Sequence, residues 1–261
     1  GYGCATVVFN PRVLRAFGAR GPAMLSLLNA TFGIGAIGAP LLFVALGNDP
    51  ALTFAVCAVA CAVLVAVAGP AGKADVSTAA HTAEPFRLHW PALMFGGLAI
   101  ATEASLIGLG PAALIKAGET EVNAAKWLSA FFFAFLAARV LLIFTAHLLK
   151  PFSLYTVAMT GAFAGALAAA LWAPGLSFVV IGFFAGMFFP SEYVTASHKM
   201  GSNPRVAPTI IGAGLIGGII APLTFAPFLA DMGERGFFWI VAGITGTLAL
   251  AALVCLRPMN R

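Results

Sequence analysis

Long apolar runs, separated by short breaks of charge, glycine and proline, divide the chain into eight stretches at roughly 23–47, 50–69, 91–115, 124–148, 152–172, 174–195, 206–230 and 233–256. A helix rises 1.5 Å per residue, so about 20 apolar residues cross a hydrocarbon core of ~30 Å. Each stretch is long enough to do so. With no water at that depth, a lone segment satisfies its backbone N–H and C=O groups only as a helix. The pattern therefore predicts an all-α, polytopic membrane helical bundle of about eight full transmembrane helices. A further apolar segment before Asn10-Pro11-Arg12 is only about nine residues long, too short to cross. It reads as a stub, and the chain is expected to be the N-terminally truncated remainder of a longer polytopic protein.

Composition narrows the class. Of 261 residues, 61% are hydrophobic and 9% charged, against about 25% charged in an ordinary soluble domain, which excludes a soluble globule. The net charge of +5 does not point to nucleic acid. The basic residues sit singly at the ends of apolar runs rather than in the dense tracts of a nucleic-acid face. Alternate connections fall on alternate sides of the membrane. One side collects Arg12, Arg15, Arg20, Lys73, Arg87, Lys150, Lys199, Arg205, Arg257 and Arg261, and the other only Lys116, Lys126 and Arg235. The richer side is predicted to be cytoplasmic, which puts the stub end, the 70–90 loop and the C-terminus there. Cys4, Cys57, Cys61 and Cys255 lie in apolar stretches, and the i, i+4 pair Cys57/Cys61 reads as small buried hydrophobes. His81, His89, His147 and His198 fall in loops or at helix ends, so no metal is expected. The chain has no phosphate-binding Gly-x-x-x-x-Gly-Lys-Ser/Thr loop, no His-Glu-x-x-His and no Cys-x-x-Cys. Neither a cofactor nor an enzymatic activity is expected, and ATP-driven transport by this chain alone is excluded.

An internal repeat organises the spans. Residues 34–43, Ile-Gly-Ala-Ile-Gly-Ala-Pro-Leu-Leu-Phe, align without gaps on 216–225, Ile-Gly-Gly-Ile-Ile-Ala-Pro-Leu-Thr-Phe, with seven of ten positions identical, and Pro22/Pro204 keep the same offset. The two helices are six apart along the chain, an even number, so both run in the same direction. That is the arrangement of a parallel six-helix repeat. The connection from Gly69 to Trp90 is the longest between spans and holds Lys73, Asp75, Glu84 and Arg87, so it reads as a hinge between two lobes. Residues 1–69 would be the remainder of an N-terminal six-helix lobe, 70–90 the cytoplasmic inter-lobe loop and 91–261 a C-terminal six-helix lobe. About three and a half helices are then expected before Gly1, for twelve in all.

Three stretches carry a family likeness. They are Gly1-Tyr-Gly-Cys-Ala-Thr-Val-Val-Phe-Asn-Pro11; Leu28-Asn29 with Gly33, Gly35 and Pro40; and the run from Gly186 through Phe189-Pro190 and Gly217-Gly218 to Pro222 and Leu229-Ala230-Asp231. In these the chain resembles the major facilitator superfamily, and within it the sugar:proton symporters of the fucose permease type, at their fourth, fifth, tenth and eleventh helices. The resemblance implies a major facilitator fold in a bacterial inner membrane. It also implies a monomer that carries a small-molecule substrate, a sugar, with protons by alternating access. The chain departs from the family at two positions. Thr6 stands where a coupling Glu of the fourth helix is expected, and Ala138 precedes Arg139 where the family has a Gly-Arg pair.

An ionisable group at membrane depth costs about 2.5–3.5 kcal/mol on insertion scales, and Glu103 and Arg139 are the two that need a reason. Glu103 lies ~18 Å up its helix from Pro91, near mid-bilayer, and Arg139 ~20 Å down from Lys126. Gly96 and Gly110 lie seven residues to either side of Glu103, on the same helical face, which is thin enough to face the bundle interior. Glu103 is expected to be a substrate ligand or proton carrier whose protonation responds to Arg139. The competing readings are a static buried pair, or an Arg139 that bonds helix-end carbonyls. Asn29 and Asn10 are amides able to bind sugar hydroxyls, or else to form interhelical hydrogen bonds. Glu192, which with Tyr193 follows Pro190, is a further candidate for substrate binding or proton coupling, since Pro190 can kink its helix and free a carbonyl; the plainer reading is a solvated helix end. Phe131, Phe132, Phe133, Phe135 and Trp127 offer either a stacking surface for a sugar ring or lipid-facing bulk. Gly212, Gly214, Gly217 and Gly218 would thin one helix for close packing. Two other functions compete with proton-coupled sugar uptake: a transport-inactive receptor or scaffold, and a facilitator-type exporter of small hydrophobic compounds. An intramembrane enzyme is disfavoured, because no second catalytic residue accompanies Glu103.

Overall fold

A computed structural model describes residues 21–68, 85–145, 148–201, 203 and 205–261, with the side chains of 21–32, 68 and 143 excepted. The described residues form nine α-helices: α1 (Gly21–Ala45), α2 (Pro50–Ala68), α3 (Trp90–Lys116), α4 (Glu121–Thr145), α5 (Pro151–Leu171), α6 (Pro174–Ala185), α7 (Phe188–Met200), α8 (Val206–Phe225) and α9 (Gly236–Met259). Among them are seven segments long and apolar enough to cross a membrane, one of which joins α6 and α7. The described residues thus form an all-helical bundle of the multi-pass membrane kind. The spans read from hydropathy match these helices, except that the stretch at 174–195 is two helices in line. The stub with Asn10 and most of the 70–90 connection lie outside the described residues.

Local chemistry sets the helix starts. Proline, whose missing N–H is harmless in a first turn, stands at the first turn of α2, α3, α5 and α6 as Pro50, Pro91, Pro151 and Pro174. The Asp49 carboxylate accepts the Ala51 N–H at 2.8 Å, and His89 Nδ1 accepts the Ala92 N–H at 3.3 Å; each satisfies a donor that the helix itself leaves open. Gly47 and Asn48, both at positive φ, turn α1 into α2.

Packing between helices follows the glycines. Water does not push apolar helices together inside lipid, so close backbone approach and interhelical hydrogen bonds hold them. Helices α3 and α8 pair where a Cβ on Gly217 would strike the Gly97 carbonyl, and Gly214 faces Ile100. This is the approach expected from the α8 glycines, although Gly212 faces open space. Helices α4 and α6 run side by side with Trp127 over Gly175, Phe131 over Gly182 and the Phe135 backbone over Gly186. Helix α5 receives Ile181 and Phe184 of α6 at Gly165 and Gly161, and Gly246 of α9 receives Phe163 of α5. Helix α1 rests on α4, with Gly33 against Leu136 and the Ser129 hydroxyl donating to the Ile37 carbonyl at 2.8 Å. Among the described residues, helix α2 touches little beyond α1. Cys57 and Cys61 on it are exposed, correcting their reading as buried hydrophobes, and Cys255 is half-buried.

Bonds to carbonyls anchor the helix ends. Lys116 Nζ donates to Leu229 O at 2.7 Å and also to Ala230 O, tying α3 to the turn that follows α8. Arg235 donates to Ala170 O at 3.4 Å. At the opposite end of the bundle Lys199 donates to Pro258 O at 2.9 Å and Lys150 to Asn260 O at 3.5 Å. Cations next to helix C-termini complement the carbonyl partial charge there, so these basic residues link neighbouring helices.

Candidate functional site

The centre of interest is the break between α6 and α7. Pro190 has no N–H to offer the carbonyl four residues back, which is that of Gly186. The ladder stops there, and Gly186 and Met187 form a turn between the two half-helices. The orphaned carbonyl finds a partner on α4: Arg139 Nε donates to Gly186 O at 3.3 Å. The Arg139 guanidinium carbon also sits 4.3 Å from the centroid of the Phe135 ring, a cation–π contact. Two expectations therefore meet in one bond, since the carbonyl freed by Pro190 is the one that Arg139 takes.

Glu103 faces the same place. On its helical face Gly96 meets the Glu192 carboxyl of α7 and Gly110 meets Phe178 of α6. Glu103, midway between them, is thereby turned towards the α6–α7 break. Its Oε2 is buried without a hydrogen-bond partner, and Arg139 is the charged group that acts on it electrostatically. The two form no direct hydrogen bond or close ion pair: Arg139 Nε is engaged by the Gly186 carbonyl, and what links Arg139 to Glu103 is charge proximity.

Glu192 departs from its plainer reading. It is 3% exposed, not a solvated helix end, and its Oε1 is buried with no partner. The carboxyl occupies the space that a side chain at Gly96 would fill. Its neighbours' hydroxyls are committed elsewhere: Ser191 donates to Met187 O at 2.7 Å, and Thr195 donates to Ser191 O at 2.8 Å. Tyr155 of α5 lies within electrostatic reach of Glu192; it is fully buried, and its hydroxyl donates to the Phe95 carbonyl at 3.1 Å. Tyr155 escaped the sequence reading; a lone tyrosine inside an apolar helix, needing a partner for its hydroxyl, was the available signal. The role of Gly96 as the seat of Glu192 was equally hidden, because it depends on which helix lies opposite.

The remaining expected site residues divide. Asn29 lies on α1 with its side chain outside the described residues, and Asn10 lies outside them altogether. The aromatic run is not a stacking platform. Phe131, Phe132 and Phe135 are buried between helices, with Phe131 stacked on Phe178 at 4.7 Å, while Phe133 points outward. Elsewhere an apolar cavity of about 130 Å³ opens between α3, α8 and α9, lined by Leu98, Ala101, Phe225, Phe237, Val241 and Ile244 among others. No group of three or more His, Cys, Asp or Glu suited to a metal occurs among the described residues.

Fold and site together define a multi-pass helical membrane protein with two acidic side chains held inside one bundle. Compared with models of known protein families and with curated protein sequences, the chain matches none.

Proposed function

We propose that the chain is a secondary active transporter of the major facilitator type, carrying a small solute, a sugar by its resemblance, together with protons. In this reading residues 1–69 and 91–261 belong to two lobes joined by the 70–90 loop. The basic end of the bundle faces the cytoplasm of a bacterial inner membrane, and rocking of the lobes exposes a midplane site to each side in turn. One observation carries the reading: Glu103 holds a buried, unpartnered carboxyl oxygen beside Arg139 at a helix break. An ionisable group at that depth has a cost that a purely structural protein has no reason to bear. Glu103 is the coupling or substrate carboxyl, Arg139 the charge that answers it, and Asn29 and Asn10 are amides available to sugar hydroxyls.

The test is uptake of radiolabelled L-fucose and a panel of other monosaccharides by liposomes holding the protein, under an imposed inward pH gradient. Gradient-driven accumulation is expected and should be lost in Glu103→Gln. Unchanged accumulation in that variant overturns the coupling role, and no accumulation of any sugar overturns the sugar reading. The wholly apolar cavity of about 130 Å³ between α3, α8 and α9 favours a second reading, export of small hydrophobic compounds. Proton-driven extrusion of a lipophilic dye in the same liposomes would select it.

A further inference from the structure

Three buried side-chain oxygens lack a hydrogen-bond partner among the described residues: Asn48 Oδ1, Glu103 Oε2 and Glu192 Oε1. Asn48 sits in the α1–α2 turn. The other two are carboxyl oxygens, and both lie along one face of α3: Glu103 is on that face, and Glu192 rests against Gly96, seven residues nearer the Trp90 end. Seven residues of helix are ~10 Å, so the face holds two acids at two depths. A buried carboxyl with no donor is costly whether structural or not; two on one helix face, leading from mid-helix towards the basic end, form a series.

The half-helix that carries Glu192 begins at a break in the span. Helix α7 is set off from α6 by the Gly186–Met187 turn, where the Met187 N–H still donates to Phe184 O at 3.0 Å and Arg139 takes the Gly186 carbonyl that Pro190 leaves free. The carboxyl is seated on a glycine rather than clamped by donors. Tyr155 stands beside it with its hydroxyl on the adjoining Phe95 carbonyl, one residue from Gly96, where a small rotation would present it to Glu192.

We propose that Glu192 is a second proton-carrying carboxyl, reached from Glu103 along the Gly96 face of α3, and that it delivers the proton to water at the basic end of the bundle. The proposal rests on the transport reading above. When α7 lifts from Gly96 it admits water to the face. The O–H bond of the Glu103 carboxylic acid breaks, its proton passes through that water, and an O–H bond forms on a Glu192 carboxylate oxygen. Glu103 is left as a carboxylate opposite Arg139, and Glu192 then releases its proton to bulk water. The groups facing this path are few. Helix α3 supplies Glu103, α4 Arg139 and α5 Tyr155; α6 and α8 contain no ionisable residue, and α7 itself adds Tyr193, His198 and Lys199.

The test needs no substrate. The whole chain in liposomes is treated with N,N′-dicyclohexylcarbodiimide, which reacts with protonated carboxyls in apolar surroundings, across a series of pH values, and adducts are located by peptide mass spectrometry. Glu192 and Glu103 are both expected to be labelled at acid pH, with labelling falling as pH rises. The Glu192 adduct should vanish in Glu192→Gln, increase in Gly96→Ala, which fills the seat, and change its pH midpoint in Glu103→Gln. A Glu192 that stays unlabelled at every pH, in the native chain and in Gly96→Ala alike, is a sealed structural acid, and the proposal falls. It falls equally if the Glu192 profile is indifferent to Glu103→Gln. Loss of sugar uptake with this labelling pattern intact would overturn the transport reading alone. Uptake in Glu192→Gln with the native dependence on pH would overturn this proposal alone.

Discussion

Helices α2 and α5 differ little in length and are both amply apolar, yet their situations are opposite. Helix α2 is the most apolar of the seven spanning segments, and none of its described residues is buried, whereas half of α5 is buried. Helix α5 carries Gly161 and Gly165, which admit Phe184 and Ile181, and Tyr155, which bonds α3 through Phe95. Helix α2 has no glycine, and its Thr53 hydroxyl is spent on its own turn, at Asp49 O. Lipid solvates an apolar surface as well as a neighbouring helix does, so apolarity places a segment in the membrane without giving it a partner. What pairs helices there is room for backbones to approach and polar groups that need an answer.

Five substitutions, two of them combined in one double-mutant cycle, would break or sharpen that contrast, each measured as a change in unfolding free energy in mixed detergent. The largest loss is expected at Gly217→Val. Its new Cβ meets the Gly97 carbonyl, backbone that cannot step aside, and the α3–α8 pair should lose about 1–3 kcal/mol or more. Next come Arg139 and Pro190. Pro190→Ala restores an N–H for the Gly186 carbonyl, so the loss caused by Arg139→Leu should shrink in that background by about 0.5–1 kcal/mol in a double-mutant cycle; strict additivity would mean that the two do not share the carbonyl. Ser129→Ala removes the bond to Ile37 and should cost about 0.6 kcal/mol, the usual worth of an interhelical hydrogen bond in a membrane. Val63→Ala on α2, at an exposed position, should change stability by less than about 0.5 kcal/mol. A large loss there would show that α2 is held by more than lipid.

Much of the site was legible in the linear pattern, for reasons that are physical. Glu103 and Arg139 are conspicuous because charge inside an apolar run is expensive, and the Gly96–Glu103–Gly110 spacing gave the face through helical periodicity alone. Pro190 announced a freed carbonyl because proline lacks a donor. The partner of that carbonyl was not legible, since Arg139 lies on a different helix and nothing local relates the two. The burial of Glu192 was missed for the same reason. Counted along its own helix it is near an end, and only the arrival of α3 with a glycine at Gly96 closes over it. The phenylalanines misled in the other direction: a run of aromatics is equally good as a stacking surface, a lipid face or a helix interface, and the choice depends on the glycines of α6.

What this sequence determined unaided is its solvent and its secondary structure, because transfer of apolar side chains into lipid and internal backbone hydrogen bonding are properties of each segment taken alone. Tertiary structure decided which helices touch, which carbonyl Arg139 answers and how deeply Glu192 is buried. Those are matters of shape between segments distant in the chain, and in a lipid solvent no hydrophobic gradient exists to write them into the pattern of apolar residues.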